Sequence, residues 1–309
     1  MLKLYEDRRL GGCPRLYLAE ERDDLMLVPE EIKQCVAFLC YKQGADYHLA
    51  GTGFFVSVTS PDGLGGFVYL VSARHVIEAV HAGSTDAGKL YVRLNTRAGG
   101  VELVEAPMAA WVFHHDDSVD VAVFPWAPDR EVFEYRAVGR MMLATDKTLE
   151  EHSIGVGDEV FFPGLFVNHI GQKRNLPLVR VGNIAAMPEE PVRGTAFGDM
   201  EAYLIEARSV GGLSGSPVFA HLILGRGGNI NLGAPRFFLL GLMHGHFNSG
   251  LTHLDDVEVD APTVDRVNMG IALVVPSQRI IDVLEHPVLT DQREAIEKAR
   301  AKKKGPVAD

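Results

Sequence analysis

Three residues in separate stretches of the chain could together carry out nucleophilic acyl transfer. Ser214 lies in Gly211-Gly-Leu-Ser-Gly-Ser-Pro-Val-Phe219, between glycines and ahead of a proline and a strand-forming pair. Glycines before a nucleophile free the backbone to turn its N–H groups toward a developing oxyanion. A bulky side chain at Gly212 or Gly215 would close that space. His75 ends Val68-Tyr-Leu-Val-Ser-Ala-Arg-His75, where a run of β-formers closes on small residues. This brings an imidazole to the edge of a predicted strand. Asp120, in Asp116-Asp-Ser-Val-Asp120-Val-Ala-Val-Phe, opens a strand that is apolar at nearly every position. A carboxylate drawn toward an interior is costly unless it is hydrogen-bonded, and an imidazole N–H would supply the partner.

The order is histidine, aspartate, serine, with 45 residues from His75 to Asp120 and 94 from Asp120 to Ser214. In this order and spacing the chain resembles the chymotrypsin/trypsin-like serine peptidases, most closely the bacterial branch with G-x-S-G-S-P-V-F. The resemblance runs from about Cys35 to Leu284 and includes five further segments. Gly51-Thr-Gly-Phe-Phe-Val56 resembles the strand before the histidine motif, and Arg180-Val-Gly-Asn-Ile184 a strand of the second barrel. Phe237-Phe-Leu-Leu-Gly-Leu-Met243 resembles the strand after the nucleophile. Gly270-Ile-Ala-Leu-Val-Val-Pro276, followed by the amphipathic stretch Ser277–Glu285, resembles the closing strand and C-terminal helix.

The resemblance implies an all-β fold of two six-stranded antiparallel β-barrels with a C-terminal helix. It also implies a role for each residue. Ser214 Oγ attacks a carbonyl to form an acyl-enzyme, and His75 takes its proton and later returns one to the leaving group. Asp120 fixes the tautomer of His75, and the N–H groups of Gly212 and Ser214 form the oxyanion hole. Singly, each residue has an ordinary structural role as a turn serine, a strand-end histidine or a cap. All three in this order favour catalysis.

Leu213 stands where digestive relatives carry an aspartate that pairs with a freed N-terminus, so activation by N-terminal clipping is not expected. His244 stands where many relatives have a small hydroxyl residue near the catalytic acid. The family's pocket positions five and six before the nucleophile are here Ser209 and Arg208, with Met243 and His244 on the following strand. Arg208 would favour acidic substrates, unless it pairs with Glu206 on the same strand face. The acidic loop Asp255-Asp-Val-Glu-Val-Asp260 is either a selective surface or a solvated insertion.

Other polar clusters read as structural. Asp116 and Asp117 precede the apolar run and fit a solvated turn, and His81 fits a helix face in solvent. His114-His115 finds no third and fourth ligand at zinc-type spacing. His244-Gly-His246 places two imidazoles on one strand face as a metal pair or, in preference, as groove lining. Gly63-Leu-Gly-Gly66 and Gly225-Arg-Gly-Gly228 lack a strand-to-helix context and read as hairpin loops. No metal or other cofactor is expected.

The elements that must position these groups divide as a charged leader at 1–33, an N-terminal barrel at 34–126 carrying His75 and Asp120, and a connector at 127–155. A C-terminal barrel at 156–276 carries Ser214, and a helix and tail fill 277–309. Within the tail, Glu294–Lys304 reads as a frayed helix or a solvated end. The 309 residues, 47% hydrophobic and 23% charged, suit a globular chain with one large or two modest cores. A net charge of −11 argues against a grip on nucleic-acid phosphates. No run of about 18 apolar residues suggests a membrane span. Met1 to Arg9 break into charge before a signal-peptide core could form. With three cysteines (Cys13, Cys35, Cys40), none flanking the serine or histidine motif, a cytoplasmic location is expected. The expected partners are a protein or peptide substrate and a regulatory protein that restrains an uncleaved protease. The alternatives are a catalytically silent or partner-gated scaffold on the same fold, and an esterase using the same machinery.

Overall fold

The apolar runs of the N-terminal half fold as strands in the computed structural model, which describes residues 28–61, 65–86, 89–195, 197–207, 212–222, 237–248 and 268–304. These strands are β1 (Val36–Gln43), β2 (Asp46–Thr59), β3 (Gly66–Ser72), β4 (Lys89–Asn95), β5 (Val101–Pro107), β6 (Val112–Phe113), β7 (Ala122–Pro125) and β8 (Val138–Gly139). They form an eight-stranded sheet in the order β5-β4-β1-β2-β3-β7-β6, with β8 parallel on β2. Helix α1 (Glu30–Lys33) precedes β1, α2 (Arg74–Gly83) follows β3, and α3 (Asp146–His152) lies between the two halves.

The C-terminal half contains β9 (Glu159–Gly164), β10 (Leu178–Ala186), β11 (Val192–Thr195), β12 (Gly198–Met200), β13 (Tyr203–Glu206), β14 (Pro217–His221), β15 (Phe237–Asn248) and β16 (Asn268–Pro276). Six of these close a barrel in the order β10-β13-β16-β15-β14-β9, while β11 and β12 form a separate hairpin. The expected six-stranded barrel is therefore present in this half. In the N-terminal half no ladder among the described residues joins β5 to β6, and that sheet does not close. Strand β5 ends at Pro107, which has no N–H to give a ladder, and the chain then enters a 3₁₀ turn at Met108–Ala110.

The larger apolar cluster fills the N-terminal sheet around Phe54, Phe55, Leu70 and Val123, and reaches Phe161, Phe219 and Leu239 of the barrel. The smaller lies inside the barrel around Phe162, Leu213, Met243 and Val274. Helix α4 (Ser277–Leu284) buries Ile280, Ile281, Val283 and Leu284. Helix α5 (Pro287–Lys304) follows, so the segment expected to fray is helical through Lys304. It is tied back to the N-terminal sheet, with Arg293 Nη1 donating to Tyr69 Oη at 2.9 Å and Ser60 Oγ to Glu297 at 3.0 Å. No helix among the described residues is long and apolar enough to cross a membrane.

Candidate active site

Strands β3 and β7 pair antiparallel with Ser72 opposite Ala122, so the residues just beyond Ser72 and just before Ala122 meet at one sheet end. His75 was expected at a strand edge but is the second residue of α2. The small pair Ser72-Ala73 lets the chain turn, and Val76, Ile77 and Val80 then bury one face of a helix. The first N–H groups of a helix lack intrahelical partners, and Ala73 has no side chain to cap them. Asp120, arriving from the loop before β7, does so instead: the His75 N–H donates to its Oδ1 at 2.8 Å. A carboxylate there also suits the positive end of the helix dipole.

The Asp120 side chain is fully buried. Its other oxygen, Oδ2, lies 2.7 Å from His75 Nδ1 and 2.5 Å from His244 Nδ1. Burial opposes its charge, but the hydrogen bonds from His244 and His75 outweigh that and hold the carboxyl well below the usual carboxylate range. A carboxylate only accepts, so both imidazoles carry a proton on Nδ1, and in a neutral ring Nε2 is then the nitrogen with the lone pair. The His75 side chain is 32% exposed, so its ring is within reach of solvent.

Ser214 sits in a turn whose geometry depends on the glycines around it. Gly212 and Gly215 have φ of 97° and 80°, in the left-handed region that L side chains avoid. A Cβ on Gly215 would lie 2.2 Å from Thr52 O and 2.5 Å from Ser72 Oγ. The turn is thus pressed onto the end of β3, two residues ahead of the α2 start. Backbone bonds fix it on both sides. Gly215 N–H donates to Met243 O at 2.7 Å, Met243 N–H to Ser216 O at 2.8 Å, and Thr52 N–H to Ser214 O at 3.0 Å. Among the described residues, neither the Gly212 nor the Ser214 N–H has a protein acceptor. Ser214 Oγ donates to the carbonyl of His244 at 3.0 Å. Its partner is therefore not His75.

His244 reaches Asp120 because β15 is irregular there. Met243 pairs with Val274 and Gly245 with Leu273, so His244 is the extra residue of a β-bulge. Bulges break the alternation of side chains and re-aim one of them. The ring of His244 meets His75 edge-on at 5.2 Å. Phe197, between β11 and β12, lies against both rings, at 6.3 Å from His75 and 5.7 Å from His244.

The structure thus gathers His75, Asp120, Ser214, Gly212 and His244 at one place. Met243 is fully buried in the barrel core and brackets the serine turn through its backbone. Arg208, Ser209 and the side chain of His246 lie outside the described residues, as do residues 223–236 and 249–267. Asp116 forms the expected turn, accepting from the N–H and Oγ of Ser118, and His81 is exposed. Two contributors are not evident from sequence reasoning. Thr52 is fully buried, donates from Oγ1 to Gly212 O at 2.8 Å and accepts from Leu165 N–H at 2.9 Å. Its only sequence signal is a threonine set between Gly51 and Gly53. Phe197 carries no periodic signal at all.

One ligand atom each from His75, Asp120 and His244 lie within 4.8 Å of one another, the donor set of a metal site. Two ligands on a tetrahedral zinc are separated by about 3.3 Å for bonds of about 2.0 Å. Both Nδ1–Oδ2 separations here, 2.7 and 2.5 Å, are shorter and match shared protons. The arrangement fits hydrogen bonding better than metal coordination.

No family model matches the chain, and no curated protein matches it. Solved structures with partial similarity include Deg5, at 16% identity and TM-score 0.46 over 82% of this chain and 88% of that one. Rv3671c from M. tuberculosis H37Rv gives 17% identity and TM-score 0.41, over 82% and 87% of the two chains. The HtrA-type protease AlgW with a decapeptide gives 16% identity and TM-score 0.45, over 83% and 66%.

Proposed function

We propose that the chain is a chymotrypsin-like serine endopeptidase that cleaves peptide bonds through an acyl-enzyme. The observation that carries this reading is the two-point hold of buried Asp120 on His75, at 2.8 Å to its N–H and 2.7 Å to Nδ1, beside the Ser214 turn. A buried carboxylate that orients an imidazole and fixes the tautomer in which Nε2 is the acceptor is what general-base activation of a serine needs. Ser214 Oγ turns from the His244 carbonyl to His75 Nε2, gives up its proton and bonds to the substrate carbonyl carbon. The carbonyl oxygen takes the negative charge beside the Gly212 and Ser214 N–H groups. His75 then protonates the leaving amine. A water, deprotonated by the same Nε2, hydrolyses the acyl-enzyme and regenerates Ser214.

No cofactor enters this scheme. The buried free thiols Cys35 and Cys40 support a reducing, cytoplasmic setting. Arg208 and Ser209 remain the proposed pocket for the side chain before the scissile bond. A second reading, a silent or partner-gated protease fold, is supported by the Ser214 hydroxyl donating to His244 O instead of His75. Covalent labelling of the full chain by a fluorophosphonate separates the two. Labelling of the wild type, absent from Ser214→Ala and His75→Ala, is the expected result. Wild-type protein that is folded yet unlabelled supports the silent module, and equal labelling of Ser214→Ala overturns the assignment of the nucleophile.

A further inference from the structure

Phe197 occupies an unusual position for an aromatic residue. Thr195 pairs with Gly198 across the β11–β12 hairpin, so the chain reverses over two residues and Phe197 lies at the tip. Two-residue hairpin tips favour Asn, Asp and Gly, whose backbones accept the turn and whose side chains suit water. A phenyl ring there is not explained by the turn.

The ring's surroundings explain it better. The hairpin is rooted in the C-terminal half but is not part of the barrel. A two-stranded hairpin has little stability of its own. Met200, which is 1% exposed, belongs to the larger apolar cluster, and Val192 and Phe197 pack against it. That cluster draws on both halves, and at the hairpin's tip Phe197 reaches the ring of His75 in the other half. At the tip, Phe197, His75 and His244 form a three-ring cluster with centroid separations of 6.3, 5.7 and 5.2 Å. Within the cluster the His75 side chain keeps 32% of its exposure, so the Phe197 ring flanks it without burying it.

We propose that Phe197 determines specificity: its ring and the adjoining imidazoles form an apolar subsite for a bulky apolar side chain flanking the scissile bond of a peptide substrate. The inference rests on the peptidase reading above and adds to it the class of side chain accepted. An edge-lined aromatic surface gains from contact with another apolar group, which leaves water and meets the ring. Occupancy also places the scissile bond, because the subsite wall includes the ring of the base itself. Apolar subsites discriminate by about 10- to 200-fold, less than polar ones, so the preference is graded.

The test profiles a peptide library that varies each position flanking the scissile bond, using wild type, Phe197→Ala and Phe197→Leu. Active enzyme in each preparation is counted by fluorophosphonate titration, and the readout is the ratio of kcat/KM between bulky apolar and small side chains. The expected result is one position at which wild type prefers Leu, Phe or Met over Gly or Ala by about 10- to 100-fold. That ratio falls toward unity in Phe197→Ala and is retained in Phe197→Leu. If Phe197→Ala does not fold, Phe197→Leu and Phe197→Tyr should still reorder the apolar residues at that position. A titratable Phe197→Ala enzyme with an unchanged profile overturns the subsite. So does a uniform rise in cleavage of all peptides, which would make Phe197 a cover over the base. A wild type that takes no label overturns the peptidase reading itself, a distinct outcome.

Discussion

His244 holds Ser214 with its backbone and Asp120 with its side chain. Its carbonyl accepts from Ser214 Oγ at 3.0 Å, and its Nδ1 lies 2.5 Å from Asp120 Oδ2. The bulge at His244 is what lets one residue do both. Two consequences follow for the proposed mechanism. In it, Ser214 must exchange a main-chain acceptor for His75 Nε2 before it can react. And Asp120 divides its Oδ2 between two imidazoles, so its effect on His75 is set partly by His244.

Replacing Asp120 by Asn should lower turnover by about 10⁴ while the protein still folds. Asp120 accepts three hydrogen bonds, one at Oδ1 from a backbone N–H and two at Oδ2 from imidazoles. An amide cannot satisfy all three. With its oxygen toward the imidazoles, its NH₂ opposes the His75 N–H; reversed, it opposes both Nδ1 protons. The His75 backbone N–H cannot give up its proton, so the reversed orientation is favoured, and there His75 is pushed toward the wrong tautomer. Stability should fall by about 1–3 kcal/mol, from a buried donor left unpaired. Turnover of a peptide ester and the urea midpoint measure the two effects. A wild-type rate in Asp120→Asn would remove Asp120 from the mechanism.

Thr52→Val should weaken both the fold and the nucleophile turn. Valine keeps the shape but leaves Gly212 O without a donor and Leu165 N–H without an acceptor. Two buried groups unmatched cost roughly 2–4 kcal/mol together. Because Gly212 is an expected oxyanion donor, kcat should drop by about 10-fold or more, with KM much less affected. Thr52→Ser should recover most of both. A Thr52→Val protein as stable and active as wild type would mean that the hydroxyl bridge does not position the turn.

How far the site could be read from sequence depended on the range of the interactions involved. The strands flanking His75 and Ser214 announced themselves through local runs: Val68–Val71 and Val218–Phe219 lie in β3 and β14. Asp120 was legible because an acid opening an apolar run has few stable fates other than pairing. The helical setting of His75 was less so, since the switch to Val76-Ile77…Val80 spacing begins only after the residue itself. The His244 bulge could not be seen, because it exists only relative to the register of β16. Thr52 was missed for a similar reason: its partners, Gly212 and Leu165, are 160 and 113 residues away. The expectation of a closed N-terminal barrel came from resemblance, and local pattern has no term for closure.

Gly215→Ala should abolish labelling and destabilise the protein strongly. The φ of 80° strains any L side chain, and the new Cβ would sit 2.2 Å from Thr52 O, a backbone atom that cannot step aside. The strain is about 1–3 kcal/mol, and relieving the contact must move the turn off the end of β3. A loss exceeding about 3 kcal/mol, or a soluble protein with a displaced and unreactive Ser214, fits this account. Thermal unfolding and label incorporation together measure it. A stable Gly215→Ala variant with normal labelling would show that the turn is not pressed onto Thr52 and Ser72.

His244→Ala should lower stability at neutral pH and flatten its fall in acid. Asp120 is held below its unfolded value of about 4, so it contributes stability that is present above that pH. The contribution is lost as pH falls toward the folded value. Burial alone would raise the folded value, and the His244 hydrogen bond is the first of the interactions that offset it. Without that ring the folded carboxyl should titrate closer to its unfolded value, so the protein loses stability at neutral pH and has less left to lose as pH falls. Unfolding free energies from urea titrations between about pH 3 and 7 would show His244→Ala less stable than wild type near pH 7, with a flatter acid limb. Asp120→Asn, which has no carboxyl to protonate, should lose this part of the limb. Adding His244→Ala to Asp120→Asn should then flatten it no further, the signature of coupling between the two side chains. If His244→Ala leaves the limb where it is in wild type, the Nδ1–Oδ2 contact does not stabilise the Asp120 charge, and His244 serves Ser214 through its backbone alone.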